Sequence, residues 1–242
     1  VMVLKRTTLI YSTITPETNR KQIIKMCFSA EASFIVGGTL LIVSAATIQK
    51  TIHKKDLPIA LIPLIFALQQ MIEGLLWVSL TSNDTSQAQF WLSNIYGVFI
   101  GIIWPLFAPF AVYCVEIDRK RRKIIASIGM AGLGLALYTI IGIVDHPIVA
   151  EIAHHSINYK HDVGGYQLVI VLYLLATCIP FIFSSYKHLY IAGIVITAGF
   201  FVAYFTFQQT FASVWCFFAA IASALIYFHF VHRVKNPLIP IP

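Results

Sequence analysis

The segment "LPIALIPLIFALQQMIEGLLWVSL" (residues 57–80) places two glutamines and a glutamate inside a run that is otherwise apolar. Crossing a hydrocarbon layer of about 30 Å as a helix takes roughly 20 mostly apolar residues, and this run is long enough. A carboxylate within that layer costs on the order of a few kcal/mol unless it is paired, protonated or facing water. The segment therefore predicts a membrane helix whose polar side chains face other helices and not lipid.

The whole chain has the composition of a membrane protein. Hydrophobic residues make up 58% of its 242 positions and charged residues 11%, with a mean hydropathy of +0.80. The apolar segments lack the alternating polarity of a barrel strand. Seven windows are long enough to span a membrane: Ala30 to Ile48, Leu57 to Leu80, Phe90 to Val115, Ile124 to Val144, Tyr166 to Ser184, His188 to Phe207 and Phe211 to Phe230. We therefore expect an all-α membrane protein, a seven-transmembrane-helix bundle.

The positions of Lys and Arg in short loops predict the orientation of the helices. Basic residues lie in the first, third and fifth loops and in the C-terminal tail, most densely in "DRKRRK" (residues 118–123). The second and sixth loops carry none, and the fourth carries Lys160 alone. This pattern predicts a cytoplasmic C-terminus and an N-terminus outside. The same clusters account for the net charge of +7, so we expect the lipid bilayer as the partner and no nucleic acid.

Residues 1–25 do not follow this orientation, because they carry several basic residues on the side predicted to be outside. They also lack the apolar core and small-residue cleavage site of a signal peptide. We expect an upstream extension with the working protein starting at Met26, or alternatively a flexible leader. The remaining chain is expected to form one transmembrane domain, residues 26–236, followed by a short cytoplasmic tail, residues 237–242.

Three motifs resemble an uncharacterised family of prokaryotic multi-pass membrane proteins that open with MCFSA. The motifs are "MCFSAEASF" (residues 26–34), "PLIFALQQMIEGLLW" (63–77) and "SVWCFFAA" (213–220). The similarity extends from Met26 to about His229. The resemblance implies a natural start at Met26 and a location in a prokaryotic inner (plasma) membrane. It implies no activity, because none is established for the family.

The polar residues of the second window fall on one helical face. Gln69, Glu73 and Trp77 are spaced i, i+4 and i+8, and Gln70 precedes Glu73 by three. We expect the glutamines to hydrogen-bond Glu73 or a neighbouring helix. Two interpretations remain open: these bonds serve only to fix helix packing, or the residues form the floor or wall of a pocket that opens outward.

Further polar groups are predicted at the same outer end of the bundle. Glu31 begins the first helix and Trp215 begins the seventh, so both are candidates for the ligand-binding site. Cys27 and Cys216 share this level and are read as a disulfide, as two metal ligands or as unrelated thiols. The fourth loop adds His154 and His155, whose spacing matches no standard zinc signature. These two cysteines and two histidines are the candidate ligands for a transition metal.

Two features of the third and fourth windows predict how these helices pack. Trp104-Pro105 and Pro109 should kink the third helix. Gly129, Gly132 and Ala136 form a small-residue face that lets another helix approach closely.

Three function classes remain open. The first is a protein that binds a small ligand or metal in the outward pocket; the second is a proton-coupled transporter that uses Glu73; the third is a metal-dependent intramembrane enzyme with Glu73 as base. Retinal is excluded as a cofactor, because no lysine lies in the interior of any window. A nucleotide is not expected either, because no phosphate-binding motif is present.

Overall fold

The computed structural model describes residues 29–82, 86–153, 156–161, 164–206 and 211–235, the last range with only some of its side chains. In chain order, the elements of these residues are α1 (Ala30–Gln49), α2 (Leu57–Ala60 and Ile62–Thr81), α3 (Ser86–Val98 and Trp104–Val115), α4 (Arg119–Asp145), β1 (Val149–Ala153), β2 (Ser156–Lys160), α5 (Tyr166–Thr177 and Ile179–Ile182), α6 (Lys187–Thr206) and α7 (Phe211–Lys235). A 3₁₀ turn (Lys54–Asp56) precedes α2, and a π turn (Phe99–Ile103) joins the two parts of α3.

The apolar helices indicate a membrane protein. Within the described residues, five helices are long and apolar enough to cross a membrane, namely α1, α2 with its 3₁₀ turn, α3, α4 and α6. A shorter apolar helix, Gln167–Ile182, belongs to α5. The number of spans and their direction stay predictions.

The two ends of the bundle differ in chemistry. One end, the basic end, carries Lys50, Lys54 and Lys55 after α1, Arg119–Lys123 in the first turns of α4, and Lys187 at the start of α6. There Arg121 donates from Nη1 to the Ser184 carbonyl at 3.2 Å, and the Lys50 ammonium lies 5.9 Å from the centre of the Tyr227 ring. Helix α4 begins five residues before its apolar window, because Asp118 accepts hydrogen bonds from the first backbone amides of the helix.

The structure is mostly helical, as the expected all-α class requires, and the opposite end, the hairpin end, adds one short β-hairpin. The loop between α4 and α5 folds into an antiparallel β-hairpin, in which Glu151 pairs with Asn158. Its inner face buries Ile157 and stacks Tyr159 on Tyr96 of α3, with ring centroids 4.3 Å apart. On the outer face, Lys160 Nζ lies 2.7 Å from Glu151 Oε2, and this contact holds the pKa of Glu151 below its usual range. The hairpin therefore covers one end of the helices.

Three of the helices are interrupted, each beside a proline. Helix α2 is broken at Leu61 just before Pro63, and α5 is broken at Cys178 just before Pro180. In α3 the π turn ends immediately before Trp104-Pro105, at the place where the sequence predicts a kink. Proline cannot donate to the helical ladder, so the backbone adjusts locally in the preceding turn.

The small-residue face of α4 packs directly on the proline-containing part of α3. Pro109 has no N–H, so the Pro105 carbonyl loses its partner within the helix. Gly132 lies against this carbonyl so closely that a Cβ atom there would overlap the oxygen. The expectation that this face permits close helix approach is therefore confirmed.

We predict that Gly132→Ala lowers the free energy of unfolding by about 1–3 kcal/mol, because the added methyl group forces α3 and α4 apart. Gly134→Ala is the matched control, since a Cβ there meets no atom within 4 Å. Thermal unfolding of the detergent-solubilised variants measures both. Equal stability of the two variants would contradict the close contact at Gly132.

Candidate functional site

The polar face of α2 is buried, as its sequence predicts. Gln69, Gln70, Glu73 and Trp77 retain 0%, 3%, 2% and 7% of their exposure. Helix α2 contacts α1, α3 and α7, so these side chains meet protein and not lipid. Contacts inside the bundle therefore offset the free energy needed to place amides and a carboxyl group in an apolar helix.

Gln69 joins α2 to α3 through a hydrogen bond. Its Oε1 accepts from the indole N–H of Trp104 at 2.6 Å. The Trp104 ring also stacks on Phe66, one turn before Gln69, with ring centroids 3.9 Å apart. The π turn that ends just before Trp104 sets where the indole projects from α3. This contact fixes α2 against the kinked part of α3.

Trp104 is a site residue that the sequence analysis treats only as part of a kink. The available signal was its depth: membrane tryptophans concentrate at the two interfaces, whereas Trp104 lies in the interior of its window. A buried indole N–H also needs an acceptor. One sequence does not show which polar residue of a neighbouring helix supplies this acceptor.

Gln70 and Glu73 form a second hydrogen bond, within α2 itself. Gln70 Nε2 donates to Glu73 Oε2 at 3.1 Å. This pair lies beside α1, because Gly37 packs near the Gln70 Cβ and the Phe34 ring covers Gly74. Both expectations for the glutamines, a bond to Glu73 and a bond to another helix, are thus confirmed.

The two glutamines serve two different neighbours. Consecutive residues of an α-helix point about 100° apart, so Gln69 meets α3 while Gln70 lies beside α1. The predicted polar face is therefore broad. It supplies one interhelical bond and one carboxyl–amide pair.

Trp77 lies one turn beyond Glu73, beneath the hairpin. It packs in a small apolar cluster with Leu76 and Ile157 of β2. The hairpin is held to α3 by Asn94, whose Oδ1 accepts from the Ile148 amide at 2.9 Å. The end of the polar face that was expected to open outward is thus covered by β2.

The other two ligand-site candidates, Glu31 and Trp215, differ in exposure. Glu31 is exposed on the first turn of α1, which Ser29 caps. Trp215 is buried, and its indole N–H donates to the Ile196 carbonyl at 3.4 Å. Their assignment to a ligand site stays a prediction.

Trp215 and Trp104 border a small internal cavity of about 20 Å³, which has room for one water molecule. Each interrupted helix contributes to its wall, α2 through Ile62, α3 through Trp104 and α5 through Thr177. The remaining lining is mostly apolar and comes from these helices, α6 and α7. The three helix breaks therefore meet around one point of the core.

The candidate metal ligands cannot be placed together. Cys27, His154 and His155 lie outside the described residues, and so does the side chain of Cys216. Within the part of the chain that the structure describes, no group of three or more His, Cys, Asp or Glu side chains is arranged to hold a metal ion. Metal binding stays a prediction.

A protein-family model, described as a family of unknown function (DUF6629), matches residues 26–239. The chain belongs to this family. The match contains all three motifs on which the resemblance was based, so membership of an uncharacterised family is confirmed. No curated protein and no solved structure showed significant similarity to the chain.

We predict a coupling energy of about 1 kcal/mol between Gln69 and Trp104 in a double-mutant cycle of Gln69→Leu and Trp104→Phe. Each single change leaves one buried polar group without its partner, and the double change removes both. The free energies of unfolding in detergent measure the cycle.

The control cycle combines Gln70→Leu with Trp104→Phe. Gln70 is adjacent in sequence but lies beside α1, so these two effects should add to within about 0.5 kcal/mol. Equal coupling in both cycles would show that the 2.6 Å bond has no specific role.

Proposed function

We propose that this chain is a seven-span protein of the inner (plasma) membrane, with its N-terminus outside, that binds a small ligand at Glu73. The five long apolar helices and the concentration of basic residues at one end support the membrane placement. The single observation that carries the ligand site is the buried Gln70–Glu73 pair.

The two polar contacts of α2 have different uses. The Gln69–Trp104 bond joins two helices, which is the packing role expected of a polar group in a membrane bundle. The Gln70–Glu73 bond lies within one helix and adds a carboxyl group to the buried face of α2. A glutamine at position 73 would be cheaper to bury than a carboxyl group. The carboxyl group is therefore best explained by chemistry that an amide cannot perform.

The chemistry of the site favours a ligand that donates hydrogen bonds or carries positive charge. Glu73 offers carboxyl oxygens as acceptors, and the nearby Trp77 offers an aromatic ring, whose face attracts cations. The hairpin and α1 cover the site, so entry requires one of them to move.

We predict that a hydrophobic carbodiimide modifies Glu73 in membranes, and that labelling falls as the pH rises, because the protonated carboxyl group adds to the reagent, with its oxygen bonding to the carbodiimide carbon and its proton moving to nitrogen. Methylammonium and guanidinium should slow the labelling if small cations occupy the site. Peptide mass spectrometry locates the modified residue, and Glu73→Gln removes the signal.

A water-soluble carbodiimide is the matched reagent and should leave Glu73 unmodified, because the residue is buried. The hydrophobic reagent could also leave Glu73 unmodified across the pH range. If Glu73→Gln then unfolds like the wild type, an amide replaces the carboxyl group without loss, and Glu73 has only a packing role. Labelling that no cation slows would exclude a cation site and leave proton exchange.

The second candidate function, a proton-coupled transporter, is supported by the interrupted helices. Transporter sites are commonly built where helices break near the middle of the membrane, and here three breaks meet at one cavity. Glu73 lies one turn from Gln69, whose partner Trp104 borders that cavity. The protonatable group thus lies one turn of α2 from a residue that contacts the wall of this cavity.

For this candidate we predict that proteoliposomes containing the protein take up protons after a pH jump, and that Glu73→Gln abolishes the uptake. An internal pH-sensitive dye reports the flux. Glu151→Gln, on the outer face of the hairpin, is the control and should leave the flux unchanged. Equal flux in all three proteins would contradict a role for Glu73 in transport.

The third class, a metal-dependent enzyme, depends on Cys27, Cys216, His154 and His155. None of their side chains belongs to the described part of the chain. The metal-dependent enzyme therefore stays a prediction.

A further inference from the structure

A groove of about 540 Å³ lies at the basic end, between the first turns of α4 and α6. Its volume is within the usual range of small-molecule sites, roughly 300–1,000 Å³. The lining residues are Lys120, Arg121, Ile124, Ile182, Phe183, Ser184, Ser185, Lys187 and Tyr190. Three of them carry positive charge, and no acidic residue is among them.

The charged groups are available to a ligand. Lys120, Arg121 and Lys187 are exposed, and within the described residues neither lysine forms an ion pair. Arg121 uses one of its donors on the Ser184 carbonyl, which turns the guanidinium toward the groove and leaves further N–H groups. The site thus offers three cations from two helices.

Buried Glu116 holds the floor of the groove in place. Its carboxylate accepts from the Ile117 and Asp118 amides, both at 2.9 Å, and from the amide and hydroxyl of Ser185 at 2.8 and 2.6 Å. These bonds tie the loop before α4 to the loop before α6. The spacing of the cations on the two helices is therefore fixed before any ligand binds.

Polarity changes with depth along the groove. Ile124 lies one turn into α4 from Lys120, and Tyr190 lies one turn into α6 from Lys187. Both are about two-fifths exposed, as is Phe183 between the helices. The cations therefore form the rim, and large apolar side chains lie below them, toward the middle of the bundle. A soluble anion has no apolar group that could pack against this lower part.

We propose that this groove binds one anionic glycerophospholipid, with the phosphate at Lys120, Arg121 and Lys187 and the acyl chains along Ile124, Phe183 and Tyr190. Basic pockets between helices at the cytoplasmic side of a membrane favour such headgroups. Guanidinium and ammonium groups are the usual donors to a phosphate diester. The site is separate from Glu73 and does not depend on its role.

Native mass spectrometry of the delipidated protein in detergent, titrated with phosphatidylglycerol, tests the proposal. We expect one retained lipid, and weaker retention of phosphatidylcholine with the same chains. Lys120→Gln/Lys187→Gln should lower the affinity for phosphatidylglycerol roughly twenty-five-fold, since each lysine near an anionic headgroup contributes about fivefold.

Lys54→Gln/Lys55→Gln is the matched control, because it removes the same charge from exposed positions at the same end but outside the groove. It should keep the wild-type affinity. Equal losses in both double variants would overturn the site in favour of general charge attraction. The second arm of the experiment uses inorganic phosphate and glycerol phosphate. If either one raises the unfolding temperature as much as the lipid does, the proposed role of the acyl chains is overturned. All these lysines are exposed, and size-exclusion chromatography confirms that the variants fold.

Discussion

The Trp104 indole N–H and the Gln69 side-chain oxygen meet 2.6 Å apart inside the bundle, and the placement of α2 against α3 depends on this bond. Where water is absent, each polar group must find its partner within the protein. The π turn of α3 ends immediately before Trp104. Phe66 of α2 stacks on the Trp104 ring. Proline, π turn, tryptophan and glutamine therefore act together as one structural unit.

Once this bond is assigned to packing, the remainder of the polar segment acquires a clearer meaning. Glu73 is paired with Gln70 on its own helix, next to α1, and it lies one turn of α2 from Gln69. A buried carboxyl group suits either a ligand that compensates its charge or a proton that comes and goes. Both readings use the same residue.

The helices could be predicted because membrane length and apolar composition leave few alternatives. The first window, Ala30 to Ile48, differs from α1 by one residue. Helix α4 starts earlier than its window because its first turn, Arg119 to Lys123, is helical but not apolar. The hairpin was missed because two five-residue strands carry little periodicity and gain their stability from Tyr96 and Asn94 of α3. The Gln69–Trp104 pair was missed for the same reason: the partner lies on another helix, 35 residues away.

The link from Asn94 to Ile148 spans 54 residues and encloses the second half of α3 and all of α4. Closing so long a loop before its contacts form is entropically unfavourable, so these bonds can form only after both helices are in place. During synthesis the hairpin would therefore dock late, when α3 and α4 have already reached their final arrangement. A chain with α4 inserted in the wrong direction would leave Ile148 on the far side of the membrane from Asn94. The hairpin can therefore dock only when α3 and α4 both have the correct orientation.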